Sequence, residues 1–333
     1  MTSIDRLKAF LIANPSQLKV VLEHFGFGHI REKPNYITCG RNATSSPKSL
    51  VIYKRNNSGL LINDYARGFC GDLFWFLKTE KGISRWKAIQ VIENVLGLAS
   101  WEIEDFQIEE SSEEIDDSAP PEEIDESLLY KYKERRNERF LKDGISLKTQ
   151  VKYGLRYDDQ SAAIIIPIRR SDGKLIGIKA RFNRDVQKGE LKYMYFEPCQ
   201  VSKTLFGYYQ NFEDLQEKDT VFIFEAEKSV MQADTLGLRN CVALGSSSIS
   251  KYQCELLKET NPKNVVLMTD KGLLEIVRVR NCEMIQSVLD EAKVYYWSPS
   301  EDVPDKASPT DLGKKRFVEA VRKELVKWKP KQI

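Results

Sequence analysis

The residues best suited to chemistry are acids that follow short apolar runs. Val221–Phe224 leads directly into Glu225-Ala226-Glu227-Lys228-Ser229, and Val265–Thr269 leads into Asp270-Lys271-Gly272. A later segment runs from Asp305 through Ser308-Pro309-Thr310 to Asp311. Apolar, β-branched runs of this length are strands, and open α/β sheets hold their ligands outside the carboxyl ends of such strands. Carboxylates gathered there suit Mg²⁺, a hard cation bound by a few carboxylates, waters and phosphates. Acids after strands also serve as helix N-caps, so spacing alone leaves both roles open.

These acids depend on the elements around them. From Leu128 onward the pattern predicts a helix over Leu128–Lys142, ending at Gly144, and then strands over Ala162–Ile168 and Lys174–Phe182 about an Asp172-Gly173 turn. Further strands are expected at Thr220–Phe224, Asn240–Leu244, Asn264–Thr269 and Ala292–Trp297, with helices between them. That alternation predicts an α/β domain, a mostly parallel sheet with helices on both faces. Residues 3–99 form a separate α+β module. Ile4, Leu7 and Leu11, then Leu18, Val21 and Leu22, fall at helical spacing, and Asn35–Thr38 and Ser49–Lys54 are strand-like, with an Asn56–Gly59 turn. Gly71 is expected to open a helix at Asp72, and Ser84 to cap one ending near Leu98.

Between the modules, residues 101–126 carry thirteen carboxylates and neither Lys nor Arg. Like-charge repulsion and the Pro120-Pro121 pair predict a disordered spacer over 100–126. Removing those thirteen negative charges from a net charge of +2 leaves the rest of the 333-residue chain at +15, which favours a polyanionic partner. No apolar run approaches the ~18 residues of a membrane helix, and the start lacks the pattern of a secretory signal. Six cysteines without a CxxC pair suit a reducing cytoplasm.

The order of a Glu after one strand, a Gly245–Ser248 turn, an Asp after the next strand and a closing Pro-x-Asp resembles a Toprim domain. Upstream, Ile166–Arg181, Leu191–Met194 and Lys203–Gly207 resemble the basic subdomain of DnaG-type primases, and Phe140–Ser146 with Tyr153–Tyr157 fits the same family. The likeness spans roughly residues 128–320. It implies a basic primase subdomain over 127–212 and a Toprim domain over 213–333. It further implies that Glu225, Asp270 and Asp311 are the catalytic acids holding Mg²⁺ or Mn²⁺, and that Lys179, Arg181, Lys192, Lys203 and Lys228 meet template and nucleotide. Three positions depart from the family pattern. Ala226 replaces a Gly, Gly272 replaces the second acid of Asp-x-Asp, and Ser308 replaces an acid before the Pro. Glu227, Glu275, Asp302 and Asp305 are the carboxylates that could complete such a site.

The N-terminal module, residues 1–99, resembles the zinc-ribbon template reader of the same primases, through Tyr36–Cys39, Pro47–Tyr53 and Arg67–Leu77. Aligned on Gly71-Asp72, the four zinc positions become Cys39, Asn42, Asp64 and Arg67. Arg67 cannot coordinate a metal, so no zinc site is expected, and Phe74, Trp75, Phe76, Trp86 and Ile89 must supply a core instead. His24 and His29 have no thiols near enough to share a metal. Lys33, Arg41, Lys48, Lys54, Arg55 and Arg67, interleaved with Tyr36, Tyr53 and Tyr65, could contact single-stranded DNA.

The expected function is therefore a DNA primase that makes RNA primers from ribonucleoside triphosphates on single-stranded DNA, alongside a replicative helicase. The chain stops soon after the Toprim unit, which suggests a phage or mobile element. Two alternatives stay open: a catalytically weakened factor binding single-stranded DNA or a helicase, and a Toprim nuclease. A topoisomerase would need strand-passage domains for which the chain lacks room.

Overall fold

The computed structural model describes residues 3–34, 36–54, 60–64, 69–97, 119–185, 192–197 and 199–330, without the side chains of 3–6, 70, 85 and 86. The chain divides into two compact units, Met1–Ala119 and Pro120–Ile333.

In the first unit, helices α1 (Ser3–Ala13) and α2 (Pro15–His24) precede strands β1 (Gly28–Glu32), β2 (Tyr36–Gly40), β3 (Leu50–Tyr53), β4 (Leu61–Asp64) and β5 (Phe69–Asp72). Helices α3 (Leu73–Lys81) and α4 (Arg85–Leu96) follow. The five strands form an antiparallel meander in chain order. Leu18, Val21 and Leu22 of α2 pack with Ile37, Leu50, Ile52 and Ile62 of the sheet, and with Phe74, Phe76 and Ile89 of α3 and α4. Trp75 lies partly buried, against Phe69. The Trp86 side chain is outside the described residues.

Gly71 does not open the helix. It is the third residue of β5, and a Cβ there would lie 2.0 Å from the Trp75 ring, so only glycine fits. Asp72 is the cap, its carboxylate accepting from the Trp75 N–H, and Ser84 caps α4 through the Lys87 N–H.

The second unit opens with helices α5 (Glu138–Lys142) and α6 (Leu147–Lys152), then strands β6 (Arg156–Asp158), β7 (Ala163–Arg169), β8 (Leu175–Phe182) and β9 (Tyr193–Glu197). Next come α7 (Phe212–Glu217), β10 (Thr220–Phe224), α8 (Glu227–Thr235), β11 (Cys241–Ala243), α9 (Lys251–Lys258) and β12 (Asn264–Met268). Helix α10 (Glu275–Val288), β13 (Lys293–Trp297), α11 (Gly313–Lys323) and β14 (Leu325–Lys327) complete it.

Two sheets form rather than one. Strands β6 to β9 are an antiparallel meander, and between β7 and β8 the short Ser171–Gly173 loop, closed by a hydrogen bond between Arg170 and Lys174, can only reverse the chain. Strands β11, β10, β12 and β13 are parallel, and β14 closes one edge antiparallel to β13. On one face of this second sheet Val221, Ile223, Val265 and Leu267 pack with Leu257 of α9 and Ile285 of α10. The alternate residue Phe224 meets Phe317 of α11, and α8 packs along β10 and β11.

Two expectations need correction. Leu128–Lys142 is not one helix: a single 3-10 turn over Glu126–Leu129 is followed by extended chain in which Lys133 pairs with Tyr157, and helix begins only at Glu138. The ladder partner offered by Tyr157 outweighs the modest helix propensity of this polar stretch. The acidic spacer falls outside the described residues over 100–118, but 121–126 is ordered against the β7–β8 hairpin. The Ile124 N–H donates to the Leu175 carbonyl at 2.8 Å, Arg169 takes both oxygens of Glu126, and Lys174 pairs with Glu123. The acids here are neutralised by a basic hairpin rather than repelling one another.

Candidate functional site

Register aligns the acids. Phe224 of β10 stands opposite Met268 of the parallel neighbour β12. Glu225 and Asp270 therefore leave adjacent strands at the same sheet edge. Beyond Asp270 the chain turns sharply through Gly272, whose φ is +96°, a left-handed conformation that side chains other than glycine resist. The turn is stapled to residues 300–307: the Lys271 N–H donates to the Ala307 carbonyl and the Lys306 N–H to the Lys271 carbonyl, both near 3 Å. The Lys271 ammonium also reaches the Glu301 carbonyl at 2.9 Å. This brings the next segment, a 3-10 turn over Pro309–Leu312, alongside α8. There Ser229 meets Ser308 at 2.8 Å, Thr310 donates to Gln232 at 2.8 Å, and the Lys228 ammonium lies 2.5 Å from Asp311 Oδ1.

Burial raises the Glu225 carboxyl to about 7, with repulsion from Asp270 adding to it and the Asp270 main-chain N–H opposing. Burial likewise raises Asp270 to about 6, with repulsion from Asp311 adding and Lys228 opposing. Burial also acts to raise Asp311, but Lys228, Gln232 and the Ser308 N–H outweigh it and hold that carboxyl below its ordinary value. The three acids thus feel one another in the order Glu225, Asp270, Asp311.

Among the described residues, no three His, Cys, Asp or Glu side chains enclose a metal by themselves. Mg²⁺ does not require that, since it binds through one or two carboxylates, retained waters and substrate phosphates. Asp270 Oδ1 is buried without a hydrogen-bond partner, an orphaned hard oxygen next to a second carboxylate, and this donor set fits such an ion. The other carboxylates considered for the site are engaged elsewhere or lie apart. Both Glu227 oxygens are taken by Lys179, Asp302 accepts from Ser300, Glu275 lines a shallow pocket with Arg278 and Tyr296, and Asp305 is exposed.

The five basic residues differ sharply in environment. Lys179 of β8 is buried in its pair with Glu227. Arg181, two residues on, is 3% exposed; its Nη2 lies 3.0 Å from Asp143, while Nε and Nη1 have no partner. Lys203 is buried with its ammonium 5.9 Å from the Tyr252 ring. Lys228 holds Asp311. Lys192, just before β9, is exposed; partial burial of its ammonium, then the cations Arg181 and Lys228, push it below its ordinary value. Lys179 of β8 pairs with Glu227 of α8, and Arg181 leads through Asp143 and Gln232 to Asp311, so the β8 cations and the acid edge border one site.

Three contributors were not singled out from sequence. Gln232 donates to the Asp143 carbonyl at 2.7 Å and to Asp311 at 3.3 Å, linking Arg181's partner to the closing acid. Asn281 of α10 holds the Gly245–Ser248 turn through the Ser247 carbonyl and the Ile249 N–H. Gln253 donates to three main-chain carbonyls. Only Gln253 carried a local signal, the Ser250-x-x-Gln253 capping box.

In the first unit, the positions aligned with zinc ligands do other work. Asp64 is fully buried and gripped by Arg41 through Nε, at 2.6 Å, and Nη2. Asn42 caps its own turn by accepting from the Thr44 and Ser45 N–H groups. Burial pushes the Cys39 thiol up to about 12, with Lys81 opposing. Arg67 lies outside the described residues, as do Arg55 and Tyr65. Of the candidate DNA contacts, Arg41 and Lys54 are in ion pairs and Tyr36 and Tyr53 are buried. His24 and His29 are exposed.

No helix among the described residues is long and apolar enough to cross a membrane. No family model matches the chain. It is 27% identical over 229 residues, 61% of its length, to the SPbeta prophage-derived uncharacterized protein YorJ of Bacillus subtilis (strain 168), and it spans 60% of that relative. Among solved structures it is similar to the zinc-binding and RNA polymerase domains of the Aquifex aeolicus primase, with TM-score 0.49, 16% identity, and coverage of 98% of this chain and 86% of that one. It is also similar to a DnaG primase catalytic domain bound to single-stranded DNA, with TM-score 0.47, 18% identity, and coverage of 60% and 77%. The E. coli primase catalytic core gives TM-score 0.45, 17% identity, and coverage of 56% and 72%.

Proposed function

We propose that this chain is a DnaG-type primase, making short RNA primers on single-stranded DNA by metal-dependent nucleotidyl transfer. The observation that carries the reading is the Glu225–Asp270 pair, two partly buried carboxylates leaving adjacent parallel strands, with Asp270 Oδ1 sealed and unpartnered. Mg²⁺ or Mn²⁺ bound there would act as the Lewis acid for attack of a ribose hydroxyl on an α-phosphate. Glu225 and Asp270 would hold that ion and give up their protons to do so. Arg181, with two unpaired guanidinium N–H directions, and the exposed Lys192 would bind phosphates of template or nucleotide. Residues 1–99 would serve template selection without zinc, and a replicative helicase would be the partner. A phage setting in a host cytoplasm accords with the prophage source of the relative above.

A second reading, a weakened primase-like factor that binds DNA or a helicase, is favoured by one observation: two further acids near the edge, Glu227 and Asp311, are already held by lysines. Primer synthesis on one single-stranded template with labelled ribonucleotides separates the two. The wild type should synthesise with Mg²⁺ or Mn²⁺, and Glu225→Gln and Asp270→Asn should not, while all three bind DNA. Undiminished synthesis by both variants would refute the site. DNA binding without synthesis by the wild type, even with a helicase supplied, would establish the second reading.

A further inference from the structure

Lys228 stands where local physics does not favour it. It is the second residue of α8, and the amino end of a helix repels cations and attracts anions. Its ammonium is nevertheless fixed there, 2.5 Å from Asp311 Oδ1. The pair is reachable from solvent, the two side chains being 20% and 32% exposed, in contrast to the sealed Lys179–Glu227 pair beside it. A pair that water can reach is held less firmly than a sealed one, so this one exchanges more readily than Lys179–Glu227. The Lys228 charge also acts to lower both the Asp270 carboxyl and the Lys192 ammonium, so a single ammonium acts on the acid edge and on the cations before β9.

A metal on Glu225 and Asp270 would gain from one further oxygen, and Asp311 is the next acid at this edge, yet its carboxylate is occupied by a cation belonging to the chain. The amino end of α8, which no side chain caps, in turn favours a phosphate once Lys228 has moved. We infer that Lys228 is an exchangeable counter-ion of Asp311: it neutralises that carboxylate in the resting protein, releases it for divalent-metal binding, and then turns its ammonium to a phosphate of the incoming nucleotide. The inference rests on the nucleotidyl-transfer reading of the same site. The exchange couples the two ligands, because neither the metal nor the triphosphate gains its full set of contacts until Lys228 has moved.

The test is a Mn²⁺ titration of the full chain, followed by titration of ATP in the presence of Mn²⁺, with folding checked by circular dichroism. Wild type is compared with Lys228→Met, Lys228→Gln, Lys228→Met/Asp311→Asn and Glu225→Gln. Either single Lys228 variant should bind Mn²⁺ about tenfold tighter, the effect of freeing one carboxylate from its partner, and ATP correspondingly more weakly. The gain in Mn²⁺ affinity should vanish when Asp311 is also replaced. Unchanged Mn²⁺ affinity in both single variants would overturn the exchange while leaving the metal site standing. A gain that persists without Asp311 would also overturn it, as a long-range charge effect. ATP binding as tight as in the wild type would overturn the transfer to phosphate. Mn²⁺ binding that Glu225→Gln leaves intact, or none by any form, would instead sink the metal site and the functional reading with it.

Discussion

The Lys179 ammonium lies 2.7 and 2.8 Å from the two carboxylate oxygens of Glu227, with both side chains buried. The pair ties β8 of the antiparallel sheet to the first residue of α8, two positions after Glu225. The lysine also lies 5.4 Å from the ring centroids of both Tyr193 and Tyr195. Removing one partner strands the other charge away from water, whereas replacing both with apolar groups does not. Lys179→Met and Glu227→Gln should each lower unfolding free energy by about 3–5 kcal/mol, and the Lys179→Met/Glu227→Met double variant by clearly less. Urea denaturation of the four proteins checks this; additive losses would show that the pair is not coupled.

The raised carboxyls make stability fall with pH. Glu225 moves from 4.5 to about 7 and Asp270 from 3.8 to about 6, so the folded chain holds more protons than the unfolded one between those limits. Bound protons favour the fold there, and stability is lost as pH rises through the folded values. The slope belongs to the interacting pair rather than to either acid. In metal-free buffer, melting temperature should decline from about pH 5 to about pH 8, and Glu225→Gln should flatten that decline and add on the order of 1 kcal/mol near pH 8. A flat wild-type profile would contradict the burial of these acids.

Placing an acid at Gly272, where the Toprim pattern has one, should fail. Gly272 has φ of +96°, so Gly272→Asp forces a side chain into backbone that favours glycine, although nothing crowds a Cβ there. A loss of about 1–2 kcal/mol is expected, with no gain in Mn²⁺ affinity. Tighter Mn²⁺ binding by this variant would mean that the turn readily changes conformation.

Burial separates the basic residues by kind of effect. Lys192→Ala should weaken single-stranded DNA or nucleotide binding with little change in melting temperature, because the side chain is exposed. Arg181→Ala should weaken binding and also destabilise, by about 2–4 kcal/mol, since Asp143 loses its guanidinium and the Phe140 ring its cover. Equal thermal shifts in the two variants would count against this division.

Local patterns carried much of this structure. The apolar run Thr220–Phe224 ending in Glu225 was legible as a strand delivering an acid, and Ser84 as a cap. Short strands such as β1, β4 and β9 were not, because a few residues of mixed character become strands only when a partner supplies the ladder. The Lys133–Tyr157 bridge broke an expected helix for the same reason. At the site, the positions of Glu225 and Asp270 follow from strand ends, but the partners of the cations do not. Lys179 and Glu227 are 48 residues apart and Lys228 and Asp311 are 83 apart, so nothing in the spacing foretold which lysines would already be engaged.

The antiparallel strand β14 has a consequence for how the chain is made. It covers β13, pairing Tyr295 with Lys327 and Trp297 with Leu325, and Trp328 then packs on the core beneath. In sequence it follows every other strand of its sheet, so during synthesis β10 to β13 can assemble while that flank still shows a bare row of main-chain donors and acceptors. Such a row invites pairing with a neighbouring nascent chain. β14 is thus the strand of this sheet that covers the β13 flank, and slow translation over residues 298–328 would lengthen the interval in which β13 stays bare.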